Sequence, residues 1–525
     1  MPMKQQVLLE SGRTTLVPNL SVTERGSWLR WAALAWALAI MTFHIVSAAL
    51  GRSLHRYIHL GEALGFARGS INLLKPVIIG WNLNGSPTPQ DLPLWQAAVA
   101  VLFKCFGVWF GLANIVSLVL FFSCLYPLFR LAERFGPKGC GWWTVVLFLA
   151  QPIVFLYAGL ASSDGFALAL AVWFMFFATR LMEEKTLKWM LLTTLAGALA
   201  AVSKFPFFLA AGLACFFMVV ASHRRQFTIW LWLGIAALLI GAVFEGWEKY
   251  ANHCYAQAEL PYQDLTTSNP QIGWWFFGDL EYRLSPGVWV TGGWRALTTV
   301  FGSFALGGVF LLAWLRRGSN GMAKWWLVGG VGTTLIFFHL VLHTHNYYLM
   351  FAPGVALLCG ELAFRMEPKL QPAEGWRRGL VRGVVMLTLA MSTAQGLAGA
   401  HVVLFQDDYM YALAQAIQEH TRESDKLFMY GGDLTGELLV LSNRNGLSAY
   451  DLKLLDHPAT YERLKSLGFT KVVMVSESPL VAAIKRSTKI HLDLYRLTYH
   501  AAETPTVEHL PTVLQNEDIL IKELR

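Results

Sequence analysis

Residues 51–93 read GRSLHRYIHLGEALGFARGSINLLKPVIIGWNLNGSPTPQDLP. This polar interval of about forty residues is wedged between two apolar runs. It carries Arg52, His55, Arg56, His59, Glu62, Arg68, Lys75 and Asp91, with Pro76, Pro87, Pro89 and Pro93 as punctuation. It is too long for a turn and too short for an ordinary domain. A polar loop held at both ends by a membrane is a place for chemistry.

The apolar runs on either side decide the class. Of 525 residues, 55% are apolar and 14% charged, with 21 Trp, whereas a soluble chain carries about one-quarter charged residues. The sequence is that of a polytopic α-helical membrane protein. A net charge of +8 would suggest nucleic acid in a soluble domain. Here the basic residues fall in short clusters between apolar runs, so the charge reports topology and implies no nucleic-acid partner. The six cysteines, Cys105, Cys124, Cys140, Cys215, Cys254 and Cys359, are scattered and offer neither a disulfide framework nor a CxxC metal pair.

Residues 1–27 read as a cytoplasmic tail and residues 28–400 as the membrane domain, with outer loops at 51–93 and 246–291. Apolar runs at Trp28–Leu50, Gly111–Leu131, Trp142–Leu160, Phe166–Leu181, Trp189–Val202, Phe205–Ala221, Ile229–Gly246, Ala296–Leu315, Trp325–Leu342, Tyr348–Phe364 and Gly379–Ala400 predict about eleven transmembrane helices. With the N-terminus cytoplasmic, the inner connections carry 16 Lys and Arg, among them Arg130, Arg134, Arg224, Arg225, Arg316 and Arg377. The longer outer ones carry 8: Arg52, Arg56, Arg68, Lys75, Lys204, Lys249, Arg283 and Arg295. The positive-inside rule favours this orientation, in an inner or plasma membrane, and places the C-terminal region outside.

Residues 401–525 differ in composition. Leu427–Tyr430 and Val472–Ser476 read as buried strands, and Tyr409–Glu419 and Thr460–Leu467 as amphipathic helices, which predicts a small extracytoplasmic α/β domain. Gly431-Gly432 follows a strand without a GxGxxG or Walker pattern, so it reads as a turn, and the domain as a structural cap.

The outer face also collects Ser162-Ser163-Asp164-Gly165, Ser203-Lys204-Phe205-Pro206, the aromatic 246–291 loop and His343-Thr344-His345-Asn346-Tyr347-Tyr348. A turn that only reverses the chain needs no isolated carboxylate or ammonium beside hydrocarbon. Such a charge is costly unless it meets a partner or a water-filled cavity, although each alone could anchor a helix end in the headgroups. The aromatics of 246–291 suit sugar rings, and more commonly an interfacial belt.

In their order and shared sidedness, these motifs resemble the GT-C class of lipid-sugar glycosyltransferases. They are an acidic residue in the first outer loop, Pro93-Leu94-Trp95, Ser163-Asp164-Gly165, Ser203-Lys204-Phe205-Pro206, and His345-Asn346-Tyr347-Tyr348-Leu349 with Pro353. Within that class the likeness is to protein O-mannosyltransferases and lipid A aminoarabinose transferases, over about Trp28–Phe364. The resemblance implies a GT-C-like membrane domain that transfers a sugar from a polyprenyl-phosphate donor to a lipid, glycan or protein acceptor on the outer side. It implies a carboxylate base, in the order Glu62, Asp164, Asp91, with Glu62→Gln expected to abolish transfer. Lys204, Arg56 or Arg68 would bind the donor phosphate, and His59, His343, His345 and Tyr347 would line the pocket.

The chain departs from the family at Gly61-Glu62, where relatives carry an Asp-Glu pair, and at Gln90-Asp91, where some carry a Lys. No metal-ligand spacing is readable, so no cofactor is expected and a metal-free site is favoured over a divalent ion. Two rival readings stand beside the enzyme: a lipid-linked-substrate transporter or flippase, and a degenerate accessory protein that lost its base at Gly61. Transporters tend to show repeated halves and helices broken at mid-membrane, and neither is evident here.

Overall fold

The structure, a computed structural model, describes residues 22–49, 57–79, 87–257, 270–302, 304–316, 320–366, 387, 390–398, 410–430, 435–449, 455–475, 509–515 and 519–524. Arg52, His55, Arg56 and Gly431-Gly432 lie outside the described residues.

The chain forms the helices α1 (Val22–Ala49), the short α2 (Tyr57–Arg68), α3 (Leu94–Phe106), α4 (Phe110–Phe122), α5 (Leu125–Phe135), α6 (Gly141–Leu149), α7 (Pro152–Ala158), α8 (Asp164–Glu184), α9 (Leu187–His223) and α10 (Phe227–Gln257). Six described helices are long and apolar enough to cross a membrane, and two bent pairs raise this to eight, fewer than the eleven apolar runs suggest. Run 142–160 is one of the bent pairs, broken by Pro152 into α6 and α7 at 74°. Three causes account for the difference: runs 189–202 and 205–221 are counted together as the one helix α9, and two further runs drop out. Run 325–342 divides at Phe337 into α15 (Gly321–Ile336) and α16 (Phe338–His343). Run 379–400 lies mostly outside the described residues.

Runs 189–202 and 205–221, joined in α9, resolve differently. α9 contains one non-helical residue, Lys204, at φ −161°, ψ 92°. Its contacts with α10 show what that residue does. Met190 packs with Ala236, Gly197 abuts Ile240 and Phe205 stacks on Phe244 at 4.2 Å, whereas Phe216 returns to Trp230 at 6.1 Å. Contacts that climb α10 and then descend it require α9 to reverse at Lys204. Residues 187–203 and 205–223 are therefore two antiparallel arms. Pro206 falls in the first turn of the second arm, where its missing N–H costs nothing and its ring forbids a helix running straight through. On the second arm α15 sits so close that a Cβ at Gly329 would lie 2.2 Å from the Ala210 carbonyl, the close small-residue packing of membrane helices.

The 246–291 loop holds α11 (Pro270–Phe277), α12 (Leu280–Leu284) and the start of α13 (Pro286–Ala296). Arg283 of the loop and Arg295 just beyond it are committed to helix ends, where carbonyls lack intrahelical partners. Arg283 donates to the carbonyls of Phe277 (2.7 Å), Leu335 (3.0 Å) and Ile336 (3.2 Å), and Arg295 to those of Leu342 and His343. After α14 (Phe304–Leu315), α15 and α16, a 3₁₀ segment His345–Phe351 leads into α17 (Ala352–Met366).

The C-terminal part begins with helix α18 (410–420) and contains β1 (Lys426–Tyr430), α19 (Thr435–Leu441), β2 (Asn445–Ala449), α20 (Pro458–Ser466), β3 (Phe469–Val475), β4 (Thr512–Gln515) and β5 (Ile519–Glu523). The sheet order is β2-β1-β3-β5-β4, with β1 parallel to β2 and β3, and β5 antiparallel to β3 and β4. Leu427, Met429, Val473 and Val475 turn toward α2 and α3, sharing one apolar core with Leu60, Ala63, Leu64, Trp95, Val99 and Phe103. Phe428, Tyr430, Val472 and Met474 face Leu464 on the other side, the alternation expected of strands covered on both faces.

Candidate active site

α8 opens on Asp164, which is fully buried. A carboxylate in a helix's first turn is favoured by the exposed N–H groups and the helix dipole. Its Oδ1 accepts from Asn346 Nδ2 (2.8 Å), in the 3₁₀ segment, and its Oδ2 from Ser162 Oγ (3.0 Å). The turn before α8 also meets α2, because the Ser163 backbone N–H donates to His59 Nδ1 at 3.3 Å. That bond leaves the imidazole proton on Nε2, 3.2 Å from Ser163 Oγ and 3.7 Å from Asp91 Oδ2. Burial holds the His59 pKa below its usual value, outweighing the carboxylate beside it, so the ring is neutral near pH 7.

Glu62 follows His59 by three residues on the same side of α2. It is 1% exposed, and its Oε2 accepts from Gln96 Nε2 of α3 at 2.5 Å. Burial first, and the nearby Asp91 second, raise its pKa well above the usual carboxylate value, with Gln96 and Lys204 opposing. Its environment thus favours the neutral acid, hydrogen-bonded to a buried amide.

Asp91 lies on the loop entering α3, and its Oδ2 is 2.6 Å from Lys204 Nζ. The loop is tied at three points. Thr88 N–H donates to the Pro76 carbonyl (2.7 Å), Tyr255 hydroxyl to the Pro89 carbonyl (2.8 Å), and Leu92 N–H to the Val202 carbonyl (2.8 Å). Val202 lies in the last turn of the first α9 arm, where the break at Lys204 leaves a carbonyl open. The same break therefore delivers the ammonium and anchors the loop bearing its partner.

The sequence candidates divide accordingly. His59, Glu62, Asp91, Asp164 and Lys204 come together at the junction of α2, α3, α8 and α9. Arg68 does not join them and bonds to the C-terminal domain. His343 stacks on His339 at 5.1 Å beneath Trp275, His345 is exposed, and Tyr347 packs on Phe207 at 5.8 Å. Sequence reasoning passed over Gln96 and Ser162 as site residues, and Glu248 of α10, which lies within electrostatic reach of Asp91. A lone amide in the apolar run of α3 was the available signal for Gln96. Among the described residues no group of three or more His, Cys, Asp or Glu is arranged to hold a metal ion.

Chemically, the junction offers a carboxylate paired with an ammonium, a second buried carboxyl group and a neutral imidazole. No protein-family profile matches the sequence, and no characterised protein matches it in sequence. Solved structures do match in fold. ArnT from Cupriavidus metallidurans bound to undecaprenyl phosphate aligns with a TM-score of 0.59 at 13% identity, over 96% of this chain and 99% of that one. Its apo form gives 0.58 at 14% identity, over 96% and 98%. An archaeal oligosaccharyltransferase, AglB from Archaeoglobus fulgidus, gives 0.49 at 9% identity, over 86% and 70%. Over nearly its whole length, the chain has the fold of ArnT, the GT-C glycosyltransferase architecture to which its motifs point.

Proposed function

We propose that this protein transfers a sugar from a polyprenyl-phosphate donor to a lipid, glycan or protein acceptor on the extracytoplasmic face, with the N-terminus cytoplasmic. The observation that carries the reading is the 2.6 Å approach of Lys204 Nζ to Asp91 Oδ2, flanked by Glu62, His59 and Asp164. The ArnT structure of the same fold is bound to undecaprenyl phosphate, which supports a donor of that class.

In the step we assign, the acceptor's hydroxyl or amine lone pair attacks the anomeric carbon of the donor. The bond from that carbon to the phosphate oxygen breaks, the acceptor proton passes to a carboxylate, and polyprenyl phosphate leaves as the anion. Lys204 neutralises the phosphate, as the transition state requires where negative charge develops. Of the three carboxylates, Asp91 suits the base best, because it is partly exposed and touches the ammonium. Glu62, whose burial favours the neutral acid, serves as a hydrogen-bond donor to substrate. Asp164, bonded by Asn346 and Ser162, holds the turn that orients His59. No divalent ion enters this step.

The transporter reading has no comparable observation behind it. Incubating the purified protein with radiolabelled polyprenyl-phosphate sugars and membrane extract separates the readings. An enzyme labels an acceptor, a transporter moves label across vesicles, and a degenerate member does neither.

A further inference from the structure

α2 has two working sides. At 100° per residue, His59 and Glu62 lie on one side, while Gly61, Leu64 and Arg68 lie about 150° around the helix on another. The first side faces Ser163, Gln96 and Asp91. The second faces the C-terminal domain, and the fit there is close. A Cβ at Gly61 would lie 3.4 Å from Val440 Cγ2 of α19 and 3.5 Å from Ile79 N, so a methyl would already touch both elements. Arg68 closes the same side by donating to Asn445 Oδ1 at 2.6 Å and to Asn443 Oδ1.

The receiving turn is rigid. Asn443 takes the left-handed conformation at φ 53°, which asparagine tolerates better than most residues. Arg444, buried beside it, donates to Thr421 Oγ1 (2.9 Å) and to the carbonyls of Thr421 (2.8 Å), Gln418 (3.1 Å) and Ser442 (3.1 Å). With the Asn443 carbonyl at 3.4 Å as a fifth acceptor, this guanidinium fixes the turn that presents Asn443 and Asn445.

We propose that the C-terminal domain is the seat of α2, with Arg68 and Gly61 as positioning residues that set His59 and Glu62 against Asp91. The domain then belongs to the site it was expected only to cap.

The test uses the full-length protein in lipid nanodiscs and compares Arg68→Gln, Arg68→Lys, Gly61→Val and the Asn443→Ala/Asn445→Ala pair with wild type. Amide exchange of residues 57–68 should accelerate roughly five- to tenfold in Arg68→Gln, the effect of losing one or two hydrogen bonds. Exchange in α8 should not change, Arg68→Lys should recover part of the protection, and adding Arg68→Gln to the Asn pair should add little. Gly61→Val should reproduce the acceleration from the other end of the interface.

The activity arm rests on the transferase reading: kcat should fall by a similar factor with the donor KM unchanged. Unchanged exchange in α2, or acceleration spread equally over α8 and α17, would overturn the seat. Absence of transfer in wild type would sink the transferase reading instead, and exchange alone then decides on the seat.

Discussion

Lys204 Nζ meets Asp91 Oδ2 at 2.6 Å, with the lysine side chain 8% and the aspartate 15% exposed. Removing one member of a buried pair leaves an uncompensated charge, which costs about 3–5 kcal/mol when burial is complete. With both side chains slightly exposed, Lys204→Met should cost about 2–4 kcal/mol, and Lys204→Met with Asp91→Asn should regain most of it. Tryptophan-fluorescence melting in detergent would read this as a lowered and then largely restored midpoint. A single variant as stable as wild type would mean that the pair is solvated.

Glu62 and His59 set opposite limbs of the stability profile. The folded pKa of Glu62 lies above its usual value, so the fold holds a proton that the unfolded chain releases. Its contribution is complete below the usual carboxylate pKa and is lost as pH rises through the folded value. His59 has the reverse sign, because its folded pKa lies below the usual imidazole value. That contribution is present at high pH and is lost as pH falls through about 6.5, where the unfolded ring protonates. Melting midpoints from pH 5 to 9 should fall at both ends. Glu62→Gln should flatten the alkaline limb alone, and an unaltered alkaline limb would refute a protonated Glu62.

Glu62→Gln also separates two roles. A glutamine preserves the shape and much of the hydrogen bonding of a neutral acid, so transfer should drop by no more than about tenfold. Asp91→Asn should cost about 10²–10⁴-fold, the usual range for removing a general base. The sequence alone favours the opposite order. Initial rates of both variants at saturating donor decide between them, and abolished transfer in Glu62→Gln with an active Asp91→Asn would return the base to Glu62.

The reversal of α9 at Lys204 places Lys185 and Gln226 on one side of the membrane. In a Cys105→Ser background, Lys185→Cys and Gln226→Cys should both react with a membrane-impermeant maleimide only from the cytoplasmic side. Labelling from opposite sides would mean that α9 crosses as one straight helix.

What the sequence revealed depended on whether a signal was local. Asp164 and Lys204 stand out because an isolated charge beside an apolar run is costly and calls for a partner. The split at Lys204 was legible because Ser-Lys-Phe-Pro interrupts an otherwise continuous run. The partners were not legible. Asp91 and Lys204 are more than a hundred residues apart, and Gln96 looks like any helix amide until α2 and α3 pack. Arg68 misled for the same reason, since a cation in a polar loop suits phosphate until Asn443 and Asn445 claim it. The span count suffered because period and hydropathy do not register a helix broken within an apolar run, as at Phe337.

The most direct test of the account is a single-turnover assay of purified protein with radiolabelled undecaprenyl-phosphate sugar and membrane extract. It would compare wild type, Asp91→Asn, Lys204→Gln and the double variant. The account predicts acceptor labelling with matching release of undecaprenyl phosphate in wild type, a loss of about 10²-fold or more in each single variant, and no recovery in the double variant. Transfer at the wild-type rate by Asp91→Asn and Lys204→Gln would contradict it.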